Sequence, residues 1–232
     1  MQLNAQAILL DVEGTTSAVA YVYDVMFPFA RRGLEAYLNG HWNDAKLTPV
    51  KELFAKDAGT EFFATPDALL AQAVGLMDND VKATGLKQLQ GLIWEAGFKS
   101  GELRAHVFDD VPPALAAWRD AGLDLRVYSS GSIHAQRLFF GHTEAGDLLS
   151  YFSGHYDTTT GPKREAASYA AIAADWGLPA GEILFLSDVT EELNAARDAG
   201  MPTALVNRPG NAEPTPAEPS HTAIESFDEI TL

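Results

Sequence analysis

Residues 7–16 read Ala7-Ile8-Leu9-Leu10-Asp11-Val12-Glu13-Gly14-Thr15-Thr16. A short apolar run that stops at a carboxylate, an acid and a glycine reads as a buried strand leading into a turn. Polar side chains are thereby delivered to the carboxyl end of that strand. The run is far too short for a signal peptide or a membrane span.

Moving outward, the hydrophobic period changes twice. From about residue 19 to 104, in segments such as VYDVMFPFARRGLEAYL and QAVGLMDNDVKATGLKQLQGLIWEAG, apolar residues recur three and four apart, which predicts helices and no strand. After about Val107, strands and helices alternate. Pro112-Pro113 opens a helix running through Trp118 and stopping near Gly122, since proline suits a first turn and glycine a C-terminal cap. Residues 125–128 predict a strand ending in Ser129-Ser130-Gly131-Ser132, followed by a long helical stretch and a short strand at 151–156. An alanine-rich helix at 164–176 closes at Gly177, and residues 183–186 form a strand ending in Ser187-Asp188. A helix at 191–199 and a strand at 203–206 complete the alternation. The proline-rich stretch NRPGNAEPTPAEPSHT, residues 207–222, predicts a surface loop. Ile224, Phe227 and Ile230 then either return to the sheet or pack on it.

Strand–helix alternation implies a parallel sheet with helices on both faces. The expected organisation is an α/β core of residues 1–18 and 105–232, with an all-helical domain of residues 19–104 inserted after the first strand.

Composition narrows the function classes. Hydrophobic residues make up 47% and charged residues 21% of the 232, which is globular rather than disordered composition. There is no cysteine, so disulfides and thiolate metal sites are excluded. The formal net charge of −16 argues against nucleic acid or an anionic membrane as partner. A monomeric cytoplasmic protein acting on a small molecule is the expectation. Such acidity also means that any phosphate site leans on few basic residues.

In an open parallel sheet, ligands bind beyond the carboxyl ends of the strands. Asp11 and Glu13, Ser129 and Ser130, and Ser187 and Asp188 all fall at that edge, with Lys163 just before a helix. Each type has a task in phosphoryl transfer. One carboxylate attacks phosphorus and a second acid moves protons. Two carboxylates hold magnesium, and hydroxyls and lysine meet the phosphoryl oxygens. Singly, Asp11 is equally a turn residue, Ser129 and Ser130 loop caps, and Lys163 a solvated charge. Together, and in this order, they point to phosphate chemistry. The six histidines (His41, His106, His134, His142, His155, His221) have no metal-ligand spacing and read as structural or surface groups, with His106 and His142 left open. Lys99, Ser100 and Glu102 read equally as substrate contacts or as an exposed interhelical loop.

DVEGTT, YSSGS, TGPK and FLSDVTEEL resemble the four ordered motifs of the haloacid dehalogenase superfamily. With LIWEAGFKSGEL, FFGHTEAGDL, YFSGHYDTTTGPKREAASY, ILFLSDVTEELNAARDAGM and NRPGN, the chain is similar to its enolase-phosphatase family of methionine salvage. The resemblance spans residues 8 to about 211 and implies a Rossmann-like core with an inserted helical cap. It implies magnesium as cofactor, Asp11 as nucleophile and metal ligand, and Asp188 completing the metal site, with Glu192 a partner to metal-bound water. Glu13 would be the acid/base and help bind the metal through its backbone carbonyl. Ser129 and Ser130 would bind the phosphoryl group and Lys163 would neutralise it. The family's reaction enolises and then dephosphorylates 2,3-diketo-5-methylthiopentyl-1-phosphate, and the enolising base is left open between Glu13 and a cap residue. The alternative is a cap-bearing phosphomonoesterase acting on another small phosphorylated metabolite.

Overall fold

The computed structural model describes residues 1–2, 4–81, 83–211 and 221–231. Residues 212–220 of the proline-rich stretch lie outside the described residues. The chain forms two compact units, one of residues 1–22 with 104–232 and one of residues 23–103.

The first unit is built on six parallel strands: β1 (Ala7–Leu10), β2 (Asp124–Tyr128), β3 (Gly154–Tyr156), β4 (Ile183–Ser187), β5 (Thr203–Val206) and β6 (Thr222–Ile224). Their order is β3-β2-β1-β4-β5-β6, so the sequence reverses direction across the sheet at β1. Leu10 is paired with both Val127 and Leu186. Every side chain of β1 and β4 is buried. That explains their unbroken apolar runs, since the inner strands of a doubly covered sheet need no polar face. The arrangement is the α/β core with a parallel sheet that the strand–helix alternation predicts, and the Rossmann-like core that the resemblance implies.

Odd-numbered positions Ala7, Leu9, Ile183 and Phe185 share one core with Tyr169, Ile172, Ala173 and Trp176 of one helix and Leu193 and Ala196 of another. By strand alternation, Ile8, Leu10, Leu184 and Leu186 point to the opposite face.

Two local differences from the sequence reading have clear causes. The strand expected at 151–156 is confined to Gly154–Tyr156, because Tyr151 and Phe152 donate their N–H groups to Leu148 and Leu149 in a 3-10 turn. The helix expected from 164 starts at Ala166, because Glu165 is extended, with φ −117° and ψ 128°, and serves as the N-cap. At the end of the chain, Ile224 joins β6, while Phe227 packs on Trp118 with ring centroids 5.2 Å apart.

The second unit contains α1 (Phe27–His41), α2 (Thr48–Ala58), α3 (Pro66–Asp78) and α4 (Thr84–Ser100), with no strand among its described residues. Ala30, Leu34 and Leu38 lie four apart on α1 and pack with Val50, Phe54, Leu69, Leu89 and Ile93. The Thr65 hydroxyl accepts from Ala68 N–H and Pro66 opens α3, a strong helix start. Phe98 is buried and Trp94 donates to the Met26 carbonyl at 2.8 Å, so both serve this unit's packing. Lys99 is paired with Glu95. Among the described residues no helix is long and apolar enough to cross a membrane.

Candidate active site

Returning to the first unit, its remaining helices are α5 (Val111–Asp120), α6 (Ile133–Gly141), α7 (Ala166–Trp176) and α8 (Thr190–Asp198). Asp11 is the first residue beyond β1 and continues its ladder, donating its N–H to Leu186 O at 3.0 Å. Its side chain is buried beside Lys163, whose Nζ donates to Asp11 Oδ1 at 2.6 Å. The same ammonium lies 2.6 Å from Glu192 Oε2 on α8. Ser187, at the end of β4, closes the group. Its hydroxyl is 3.4 Å from Asp11 Oδ2 and 3.2 Å from Glu192 Oε2, so its one proton favours Glu192.

Lys163 is held by its backbone. The carbonyls of Gly161, Pro162 and Lys163 each accept a side-chain hydroxyl, from Tyr128 (2.8 Å), Ser168 (2.8 Å) and Tyr169 (2.7 Å) respectively. Three consecutive fixed carbonyls leave the intervening chain little freedom, and the ammonium is placed accordingly. The preceding turn is tied by Asp157, which accepts from Thr159 N–H at 2.9 Å and Ile133 N–H at 3.0 Å.

Glu13 lies in the turn after Asp11 and accepts from the Ser129 hydroxyl at 3.2 Å. Ser129 accepts in turn from Gly131 N–H at 3.1 Å. Ser130 is exposed one position on, at the approach to the N-terminus of α6, and makes no hydrogen bond to the other site residues among those described. Helix N-termini favour anions, so this edge suits a phosphoryl group. Asp188 follows β4 and packs directly on Gly14. A Cβ built on Gly14 would come within 2.1 Å of Asp188 Oδ2, and Gly14 has a φ of +78°. Both the close approach and the left-handed backbone require glycine there.

The electrostatics are dominated by acid. Among the described residues, Asp11, Glu13, Asp188 and Glu192 surround a single buried ammonium, that of Lys163. Burial, and then the Asp11 charge, pushes Glu13 above the usual carboxylate range. The same two causes raise Asp188 to about 7 and Glu192 to about 7. Burial alone would lower Lys163, but the Asp11 and Glu192 carboxylates outweigh it and hold the ammonium charged. Asp188 Oδ1 is buried without a hydrogen-bond partner among the described residues.

Asp11, Glu13, Ser129, Lys163 and Asp188 are therefore gathered at one sheet edge, as their sequence positions suggest. Glu192, expected as a partner to metal-bound water, pairs with Lys163 at 2.6 Å. Ser187 was legible as a strand-end hydroxyl, but its bridge between Asp11 and Glu192 had no sequence signal. His106 Nδ1 accepts from Ala18 N–H at 3.2 Å and His142 Nδ1 meets Leu138 O at 2.9 Å, so both are engaged by local backbone. Among the described residues no three His, Asp or Glu side chains converge as a metal cage.

A family model described as haloacid dehalogenase-like hydrolase matches residues 5–200. The chain is 48% identical to the enolase-phosphatase E1 of Sorangium cellulosum (strain So ce56) over 229 residues, covering 98% of each chain. It is 48% identical to the enolase-phosphatase E1 of Pseudomonas aeruginosa (strain LESB58), covering 99% of this chain and 100% of that one. Among solved structures, it is similar to the UTR4 protein of Saccharomyces cerevisiae, with a TM-score of 0.82 and 34% identity over 97% of this chain and 100% of that one. With its site at the end of β1 and a family match over most of its length, the chain belongs to the haloacid dehalogenase-like hydrolase family.

Proposed function

We propose that the chain is an enolase-phosphatase that converts 2,3-diketo-5-methylthiopentyl-1-phosphate to the acireductone and inorganic phosphate, in methionine salvage. The observation that carries the phosphatase half is the buried Asp11 carboxylate held by Lys163 at 2.6 Å beside Ser187 and Glu192. Near-half identity to enolase-phosphatases over almost the whole length supports the substrate.

The residues divide the work. A proton leaves the phosphate-bearing carbon and the neighbouring ketone oxygen gains one, giving an enediol-type phosphate. Asp11 then attacks phosphorus, the ester P–O bond breaks, and Glu13 protonates the departing oxygen. Its raised affinity for protons suits Glu13 to that task. Water next attacks the phosphorus of the aspartyl phosphate, Glu13 takes its proton, and Asp11 is released as carboxylate. Ser129 and Ser130 hold the phosphoryl oxygens, while Lys163 neutralises charge on Asp11 and phosphate. The helical insert expected at residues 19–104 takes the place in the sequence of the family's cap, whose task is to exclude water.

A magnesium ion fits these residues. Asp11 and Asp188, with the Glu13 carbonyl and water, form the sparse oxygen set that this ion accepts. The unpartnered Asp188 Oδ1 and the uncompensated acidity of the site supply its electrostatic demand. When bound, the ion would screen the carboxylates from the phosphate dianion and polarise its oxygens.

The metal reading carries a pH signature. Asp188 and Glu192 are raised to about 7 from 3.8 and 4.5, so the folded protein retains protons that the unfolded chain releases. The resulting penalty on folding is absent below the unfolded values and fully present above about 7. Magnesium competes with those protons. It should therefore raise Tm clearly at pH 8 and little at pH 5. His155, lowered to about 4 by burial, changes the baseline with the opposite slope but drops out of the magnesium increment. An increment equal at both pH values would contradict metal binding at Asp188.

The substrate is tested by supplying purified protein with the diketo phosphate under anaerobic conditions. Acireductone absorbance should grow in step with phosphate. Phosphate release from simple esters with no acireductone would instead favour the plain phosphomonoesterase.

A further inference from the structure

Asp11 and Glu13 face the site, but the turn that carries them is fixed from behind. Its core is local: Val12 O accepts from the N–H groups of Thr15, Thr16 and Ser17 at 3.2, 3.0 and 3.0 Å. Beyond Glu13, the carbonyls of Gly14, Thr15 and Thr16 are held by distant parts of the chain. Gly14 O accepts from Asn211 Nδ2 at 2.8 Å, Thr15 O from Arg208 Nε at 3.0 Å, and Thr16 O from Phe108 N–H at 3.1 Å.

Arg208 is the centre of this support. Its side chain is 3% exposed, and its guanidinium lies between the rings of Phe108 and Phe227, 4.5 and 4.7 Å from their centroids. Nη1 donates to both oxygens of Asp110, at 3.0 and 2.8 Å, and to Glu225 O at 3.1 Å. Asp110 is itself fixed, accepting from Phe227 N–H at 2.6 Å and the Ser226 hydroxyl at 3.1 Å. A buried ion pair is a costly way to gain stability, because desolvation offsets most of the attraction. What it supplies well is direction, since the guanidinium fork has fixed geometry.

The buried side-chain atoms without a partner point the same way. Among the described residues there are five: Thr15 Oγ1, Arg126 Nε, Asp188 Oδ1, Arg208 Nη2 and Asn211 Oδ1. All but Arg126 Nε lie on this turn or on the residues touching it. Stability alone does not explain unsatisfied polar atoms concentrated at one turn, whereas functional sites tolerate them.

We propose that Arg208, anchored by Asp110, is a positioning residue for the reaction. It fixes the Thr15 backbone, and through that turn the placement of Glu13 beside Asp11. The inference rests on the reading of Asp11 and Glu13 as reacting groups.

Arg208→Lys keeps the charge but cannot make both the Thr15 and Asp110 bonds. Misplacement of a reacting group by about 1 Å costs on the order of 100-fold in rate, so kcat should fall by about that factor with KM within about threefold of wild type. Asp110→Asn should give a smaller fall of the same kind, and amide exchange in a peptide spanning 11–18 should speed up in both. Combining Arg208→Lys with Glu13→Gln tests the route. If Arg208 acts through the turn, the double variant should be no slower than Glu13→Gln alone by more than about twofold.

A purely structural role would lower Tm but leave kcat per folded molecule unchanged. That result, or full additivity of the two substitutions, would overturn the proposal. The underlying reading fails separately, if Glu13→Gln alone retains wild-type turnover.

Discussion

Asp11→Asn is expected to abolish phosphate release, by about 10⁴-fold or more, while leaving the fold intact. The amide is a poor nucleophile, so no aspartyl phosphate can form by the route described. Stability should change little for three reasons. Lys163 keeps Glu192 as a partner at 2.6 Å, so the ammonium is not left buried alone. An asparagine oxygen can still accept from Lys163. Removing the Asp11 charge also relieves Asp188 and Glu192, for which it is the second cause, after burial, of their raised values. Circular dichroism and Tm close to wild type, together with lost turnover, are the expected results. Substantial turnover by a verified Asn variant would remove Asp11 from the chemistry.

Lys163→Met should be nearly as damaging and, unlike the Asp11 change, destabilising. Among the described residues Lys163 is the one cation bonded to Asp11, and loss of a preorganised charge at the transferring group costs on the order of 10³-fold in kcat. Removing one member of a buried ion pair costs about 3 kcal/mol or more. Here it leaves Asp11 and Glu192 facing each other across an apolar side chain. Protonation of one of them is the cheapest escape, so the loss in Tm should be larger at pH 8 than at pH 5.5. Glu192→Gln provides the contrast, because it leaves the Lys163–Asp11 bond in place. A Lys163→Met protein with wild-type Tm at both pH values would contradict the ion-pair account.

Much of this site was legible in the sequence because its parts end strands. The run Ala7–Leu10 is apolar at every position because β1 is central and covered on both faces, and such a strand must end in polar residues at the sheet edge. Ser129, Ser187 and Asp188 follow the same rule. Lys163 was found by its place before a helix, and its partners across the fold are what give it meaning.

The unread features depend on contacts that no local pattern encodes. Glu192 sits on the first turn of α8, where acids are common for reasons of helix dipole alone, so its bond to Lys163 is invisible without the fold. The hold of Arg208 on Thr15 joins residues 193 apart in sequence. Its only trace was the resemblance of the NRPGN segment to family members. β3 is shorter than its sequence suggests for a different reason. Tyr151 and Phe152 look strand-like, but their N–H groups are satisfied within a 3-10 turn and cannot enter the ladder.

Covalent attack by Asp11 is the central claim, and trapping tests it most directly. The protein should be quenched during turnover with the diketo phosphate, treated with borohydride, and its peptides analysed by mass spectrometry. An aspartyl phosphate at position 11 would be reduced to homoserine there, in an amount that follows the steady-state intermediate and is absent without substrate. Sustained turnover with residue 11 unmodified at every quench time, or with the modification at another carboxylate, would contradict it.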